Sequence, residues 1–276
     1  MESKYIEILN ERIHYIEENT GKPKVLFLHG FNSSAAFANQ VYLQKNRNYD
    51  VVALDFPGCG FSSAKEAISI ELYQQVALEF VKQYNYDFKL VIGHSLGGAS
   101  ALYLLNNNLV KKALLAAPIN YEILDNKLGE SVEAAIKRMK CWLIPENYDS
   151  AYESSDNLIY NDKLDYRKNL SKVATMFLKL MDRKRPMFLN MVTSQILNPN
   201  YLKTSIKSLY QANNDYEFIT GINDKFVPYF TIKNIANKMQ KNVTLLQNCG
   251  HALFFEQPEA INEKINQLVE YLYIKG

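Results

Sequence analysis

The tract Gly93-His94-Ser95-Leu96-Gly97-Gly98 follows a short apolar run, Leu90 to Ile92, and leads into a stretch with a helical pattern. A serine on so tight a strand-to-helix turn is forced into strained backbone geometry, and small neighbours let strand and helix approach each other. Glycine and serine are common enough to produce such a motif by accident, so its position at a strand-to-helix turn carries the argument. A serine hydroxyl is a poor nucleophile at neutral pH. It needs a base within hydrogen-bond reach, and the base needs a carboxylate to hold its tautomer.

Four histidines are available for that role. His29 ends an apolar run inside His29-Gly30-Phe31, His94 lies in the elbow and reads as pointing away from the serine, and His14 belongs to an N-terminal hairpin. His251 remains. It stands in Asn248-Cys249-Gly250-His251, after the last strand-like run, on a loop at the carboxyl end of the sheet where doubly wound folds place ligands. Asp224, in Gly221-Ile222-Asn223-Asp224-Lys225-Phe226-Val227-Pro228, occupies the preceding loop of that kind. A turn aspartate capping the next helix would look the same, and Asp125 is a second candidate. Acyl transfer also needs donors aimed at the developing oxyanion. By position these are the backbone amides of Leu96, after the serine, and Phe31, after the first long strand.

These residues need a sheet to stand on. The runs Val25 to Leu28, Val51 to Leu54 and Leu90 to Ile92 have the length and β-branched content of buried parallel strands. Ile70 to Tyr84 carries a helical stripe at Tyr73, Val76, Ala77, Phe80, Val81 and Tyr84, with Ser69 as N-cap and Glu71 in the first turn. Ser95 to Leu105 reads as a buried helix and Ala113 to Ala116 as a strand. Tyr216 to Thr220 and Val243 to Leu246 read as two further strands, each followed by a helix, the last striped at Ile261, Ile265, Leu268, Val269 and Leu272. Tyr5 to Leu9 and Arg12 to Ile16 predict a hairpin turning at Asn10-Glu11.

From Asn120 to Asn214 the strand pattern lapses and helical stretches take over, among them Glu133 to Met139, Val173 to Met181 and Phe188 to Ile196. The expected fold class is α/β: a doubly wound, mostly parallel sheet built from residues 1–119 and 215–276, with a helical cap inserted over residues 120–214.

Composition narrows the partners. The 276 residues are 47% hydrophobic and 22% charged, ordinary for a globular chain, and 31 basic against 29 acidic residues, intermixed along the chain, give no one-sided field for nucleic acid. Three widely spaced cysteines, Cys59, Cys141 and Cys249, suggest neither a disulfide framework nor a metal-ligand pair, and fit a reducing compartment. Without an apolar segment after Met1-Glu2-Ser3-Lys4, or a transmembrane run anywhere, the expected location is the cytoplasm. No metal and no organic cofactor is expected, because a serine, histidine and aspartate suffice chemically.

Taken in order, His29-Gly30-Phe31, Asp55-Phe56-Pro57-Gly58-Cys59-Gly60-Phe61-Ser62, the Ser95 elbow, the Asp224 loop and Gly250-His251 resemble the α/β-hydrolase superfamily, specifically its capped esterase/lipase-like branch. The resemblance spans the whole core, and the chain order Ser95, Asp224, His251 is the one such enzymes show. It implies that Asp55 is structural in a tight turn and Cys59 a variable turn position. Epoxide hydrolases and haloalkane dehalogenases of this fold carry aspartate at the elbow, and dienelactone-type enzymes carry cysteine. Proline iminopeptidases typically have glycine where this chain has His94.

The cap matches no such pattern. Met139, Met176, Met181, Met187 and Met191, with Trp142, Phe177 and Phe188, either line an adaptable acyl pocket or pack the cap against the core. Arg183-Lys184-Arg185 either meets an anionic head group or forms a solvated face. The expected activity is cleavage of a small-molecule acyl ester through an acyl-enzyme on Ser95. The same triad also serves C–C bond, thioester or peptide hydrolysis and acyl transfer, and such a scaffold can persist as a non-catalytic binding protein.

Overall fold

The computed structural model describes residues 1–125, 129–160, 164–212 and 215–274. Among these, eight strands form one sheet: β1 (Glu2–Ile8), β2 (Glu11–Glu17), β3 (Lys24–Leu28), β4 (Asp50–Leu54), β5 (Leu90–His94), β6 (Lys112–Ala116), β7 (Tyr216–Gly221) and β8 (Val243–Leu246), in the order β1-β2-β4-β3-β5-β6-β7-β8. The pairs β1–β2 and β2–β4 are antiparallel, and every other neighbouring pair is parallel. The side-chain period of two sets the layers. Leu26 and Leu28 of β3 enter one buried cluster, and Val25 and Phe27 enter the other. A strand with apolar residues on both faces must be covered on both faces, as the unbroken apolar runs anticipate.

The N-terminal hairpin turns one residue earlier than the sequence suggests. Leu9 and Asn10 are both left-handed, at φ 51° and 64°, and Ile8 pairs with Glu11. Two consecutive positive φ values make the primed turn whose twist suits a two-residue hairpin, so the strands extend beyond the segments expected of them. Helix α1 (Ile70–Tyr84) has the predicted bounds, with Ser69 accepting from the Leu72 amide at 3.0 Å. Helix α2 (Gly97–Asn106) starts two residues later than expected, because Ser95 is itself left-handed at φ 51°.

Between β6 and β7 the described residues form helices: α3 (Val132–Leu143), α4 (Tyr148–Leu158) and α5 (Leu164–Met191), then shorter turns ending at Gln211. The boundary residue Asn214 lies outside the described residues. The two stretches expected at 173–181 and 188–196 are instead one helix and the π-helical turn Val192–Ile196 that continues it, with Pro186 inside the helix. Proline interrupts the apolar pattern here without ending the helix. After β7 come α6 (Tyr229–Met239) and, past β8, a short helix Leu253–Glu256 and α7 (Pro258–Val269). Buried side chains of α1, α2 and α6 join one core cluster, and those of α7 join the other. No described helix is long and apolar enough to cross a membrane.

Candidate active site

The sheet order reverses at β3, whose neighbours are β4 and β5, and in open α/β sheets the crevice beyond such a reversal holds the ligand. Ser95 leaves β5 and Phe31 follows β3, on adjacent strands paired Leu28 with Gly93. The serine's strained φ of 51° is held from both sides: its amide donates to Ala116 O at 2.9 Å, and its carbonyl accepts from the amides of Gly98 and Ile119. The elbow depends on missing side chains. A Cβ on Gly97 would stand 2.3 Å from Leu28 O, and one on Gly30 would stand 2.9 Å from Ser95 Cβ. The amides of Phe31 and Leu96 donate no hydrogen bond among the described residues, and both residues line the cavity in front of Ser95. Two uncommitted N–H groups beside one hydroxyl suit a developing oxyanion.

The neighbouring strands β7 and β8 bring the other two candidates together. His251 Nδ1 lies 2.7 Å from Asp224 Oδ2, while Asp224 Oδ1 accepts from the amides of Phe226 and Val227, each at 2.8 Å. The turn-aspartate role and the histidine-orienting role therefore coexist in one carboxylate. Phe226 stacks on the imidazole at 5.3 Å between centroids. Asp125, the second candidate, is exposed. Among the described residues no hydrogen bond joins Ser95 to His251, a contact that in unliganded enzymes often closes only with substrate.

The other two histidines near the site are held neutral. His29 donates from Nδ1 to Gly30 O at 2.7 Å and accepts at Nε2 from the Phe56 amide at 2.9 Å, and burial holds its pKa down to about 4. It thereby fixes the loop that carries the Phe31 amide. His94 does not point away from the site as the sequence suggests. It lines the cavity, its ring 4.9 Å from that of His251, and Nε2 donates to His251 O at 3.1 Å. Packing decides this, since Phe37 stacks flat on the ring at 5.6 Å and Phe254 meets it edge-on. Burial, and then the His251 imidazole, push its pKa well below the usual range.

The cavity has a volume of about 420 Å³ and is walled mainly by apolar side chains of the helical segment and the loops after the strands. Of the residues singled out in that segment, only Met139, Trp142 and Phe177 line it. Met181, Met191 and Phe188 are buried in the core, while Met176 and Met187 are exposed. Sequence offered no means of telling these groups apart, because helical phase relative to a distant cavity is a tertiary property. The basic cluster also divides: Arg183 is exposed, Lys184 Nζ donates to Gly58 O at 2.8 Å, and Arg185 donates to Pro145 O.

Comparison with known sequences fits this geometry. The Alpha/beta hydrolase family is matched over residues 25–264. The chain belongs to that family. It is 24% identical over 257 residues to a Mycoplasma genitalium protein provisionally named esterase/lipase 2, covering 90% of this chain and 89% of that one. Its fold is similar to that of a provisionally named lipase, lip1, from Acinetobacter baumannii AYE, with TM-score 0.78, 17% identity, and 100% and 93% of the two chains covered. It is also similar to that of a serine hydrolase from the polyaromatic-hydrocarbon-degrading bacterium Cycloclasticus zankles, with TM-score 0.76, 18% identity, and 99% of each chain covered.

Proposed function

We propose that this α/β hydrolase cleaves neutral carboxylic esters through an acyl-enzyme on Ser95. The observation that carries this reading is the His251 imidazole, paired with the buried Asp224 carboxylate, which lines with Ser95 a cavity also lined by Phe31 and Leu96, the residues of two uncommitted amides. Asp224 keeps the Nδ1 proton on His251 and leaves Nε2 as the base. As the Ser95 oxygen bonds to the ester carbonyl carbon, its proton passes to Nε2 and the carbonyl oxygen takes the negative charge against the two amides. Collapse expels the alcohol, which takes the proton from Nε2. Water then repeats the sequence against the acyl-enzyme, releasing the acid and free Ser95.

Substrate class follows from the walls. Among the described residues no Lys, Arg, Asp or Glu side chain lines the cavity, so a charged acyl group would find no partner among them. The hydroxyls of Ser154, Ser155 and Tyr166 already donate to the carbonyls of Trp142, Ala151 and Ser155, leaving an apolar acyl chain as the best occupant. Residues 120–214 act in this reading as a cap over a core of 1–119 and 215–276. The three cysteines, none of them in a disulfide, fit a cytoplasmic setting.

The test has two arms. A fluorophosphonate probe should label the wild-type protein at Ser95 and leave Ser95→Ala unlabelled; equal labelling of both would sink the proposal. Across p-nitrophenyl esters of increasing chain length, kcat/KM should rise to a medium-length acyl group and then fall, since a cavity of about 420 Å³ has room for about fourteen heavy atoms at roughly 30 Å³ each. Activity on thioesters alone would point to the same triad in a different reaction.

A further inference from the structure

The loop that carries His251 is fastened to the helical segment between β6 and β7, and the fastening runs through one buried carboxylate. Glu256, at the end of the short helix Leu253–Glu256, is 6% exposed. Its Oε1 accepts from the Gly250 amide at 2.8 Å, and its Oε2 accepts from the Tyr160 amide at 3.1 Å. Gly250 precedes His251, and Tyr160 lies just past the C-terminus of α4. A second link lies beside the first. Leu158 O, at the last residue of α4, accepts from the His251 amide at 3.0 Å and from the Ala252 amide at 3.1 Å.

The two chains cross too closely for a side chain at the crossing. A Cβ on Gly250 would stand 2.8 Å from Tyr160 N, 3.0 Å from Glu256 Oε1 and 3.1 Å from Leu158 O. Lys225, next to Asp224, adds an outer tie from Nζ to Asn157 Oδ1 at 2.6 Å. Leu158 also lines the cavity, so the carbonyl that holds the His251 backbone belongs to a residue in contact with the substrate space. Hydrogen bonds to an ionised carboxylate are stronger than neutral ones, and losing a buried acceptor strands the donors it satisfied.

We infer that Glu256 is a positioning residue: by bridging Gly250 and Tyr160 it locks the helical segment to the base-bearing loop, so that the seating of that segment sets how His251 meets Ser95. The inference rests on reading His251 as the base. The segment cannot lift at Leu158 without breaking its hydrogen bonds to the His251 and Ala252 amides.

Three variants test it. Glu256→Ala removes both acceptors, and Tyr160→Pro removes only the donor on the helical segment, at an exposed side chain that follows an extended residue, Ile159 at φ −121° and ψ 129°, as proline prefers. With a short p-nitrophenyl ester, Glu256→Ala should lose at least tenfold in kcat, with KM within twofold. Its rate of fluorophosphonate labelling should fall in parallel, while final labelling still reaches one per chain. Tyr160→Pro should lose threefold or more in kcat with the same split, and Glu256→Gln, which keeps one acceptor, should recover part of the loss. Unchanged kcat per labelled site in either folded variant overturns the inference. If Glu256→Ala does not fold, Tyr160→Pro decides. A wild-type protein that never labels at Ser95 overturns the proposed function instead, which keeps the two failures apart.

Discussion

Among the described residues two aspartate–histidine pairs of equal length occur, and one of them, through His251, borders the cavity in front of Ser95. His251 Nδ1 is 2.7 Å from Asp224 Oδ2, and His14 Nδ1 is 2.7 Å from Asp55 Oδ2, with all four residues buried. The second pair even has a serine in place, Ser3 Oγ lying 2.8 Å from His14 Nε2. By pairwise distance it is the more complete triad. What it lacks is surroundings. Ser3 sits in regular strand β1, paired with Ile16, whereas Ser95 is held left-handed on its elbow beside two residues with uncommitted amides. Asp55 is occupied elsewhere, accepting from the amides of Ala35 and Phe61 and so pinning the turn around Gly60. The difference teaches that a hydrogen-bonded Ser–His–Asp row can form with no cavity residue in it, as Ser3, His14 and Asp55 do. Strain at the nucleophile, free donors and a cavity make it a site.

The contrast is sharpest under removal of charge. Asp224→Asn should reduce kcat on the order of 10⁴-fold with the fold retained, by analogy with the effect of losing the orienting carboxylate in other serine triads. Asp55→Asn should leave kcat within about fivefold while lowering unfolding stability by roughly 2–4 kcal/mol, since it weakens a buried network. Ester kinetics and urea unfolding on both variants check this. A folded, equally inactive Asp55→Asn would break the comparison.

A middle-sized effect comes from His29, which burial holds neutral. The folded pKa of His29, about 4, lies below its unfolded value of 6.5, so between those pH values the unfolded chain binds a proton that the folded chain refuses. Stability therefore rises with pH across that window, is fully present above pH 6.5, and is lost as pH falls. His29 alone should remove about 2 kcal/mol between pH 7 and pH 5. Urea midpoints at the two pH values, compared with His29→Gln, measure that share, and an unchanged slope in the variant would refute it.

The smallest effect is the most pointed. Ser3→Ala should leave fluorophosphonate labelling and kcat/KM unchanged and cost less than about 0.5 kcal/mol. Residual labelling of Ser95→Ala that maps to Ser3 would show that distance alone had made a second nucleophile.

Much of this was legible in the residues. Strands β3 to β8 were expected within a residue or two, because unbroken β-branched runs have few alternatives, and α1 was bounded by a cap that the structure contains. The partnership of Asp224 with His251 followed from chain order and loop position. His94 was misread because its orientation depends on Phe37 and Phe254, distant in sequence and invisible to a local pattern. The stretches expected at 173–181 and 188–196 are joined in one helix and its π-helical continuation, with Pro186 inside, because packing holds together what the local pattern leaves separate. Glu256 gave no signal, since its partners are backbone amides, one of them in another layer.

Sequence by itself determined the periodicities, the glycines and the order of chemically capable residues, and hence the family and the sheet. These are local properties, set by side-chain shape and spacing along the chain. Tertiary structure alone decided which of two histidine–aspartate pairs has a cavity in front of it, which methionines reach that cavity, and which loop the helical segment holds. Those outcomes depend on distances between residues far apart in the chain, 96 positions for Tyr160 and Glu256, and such distances exist only once the layers have packed.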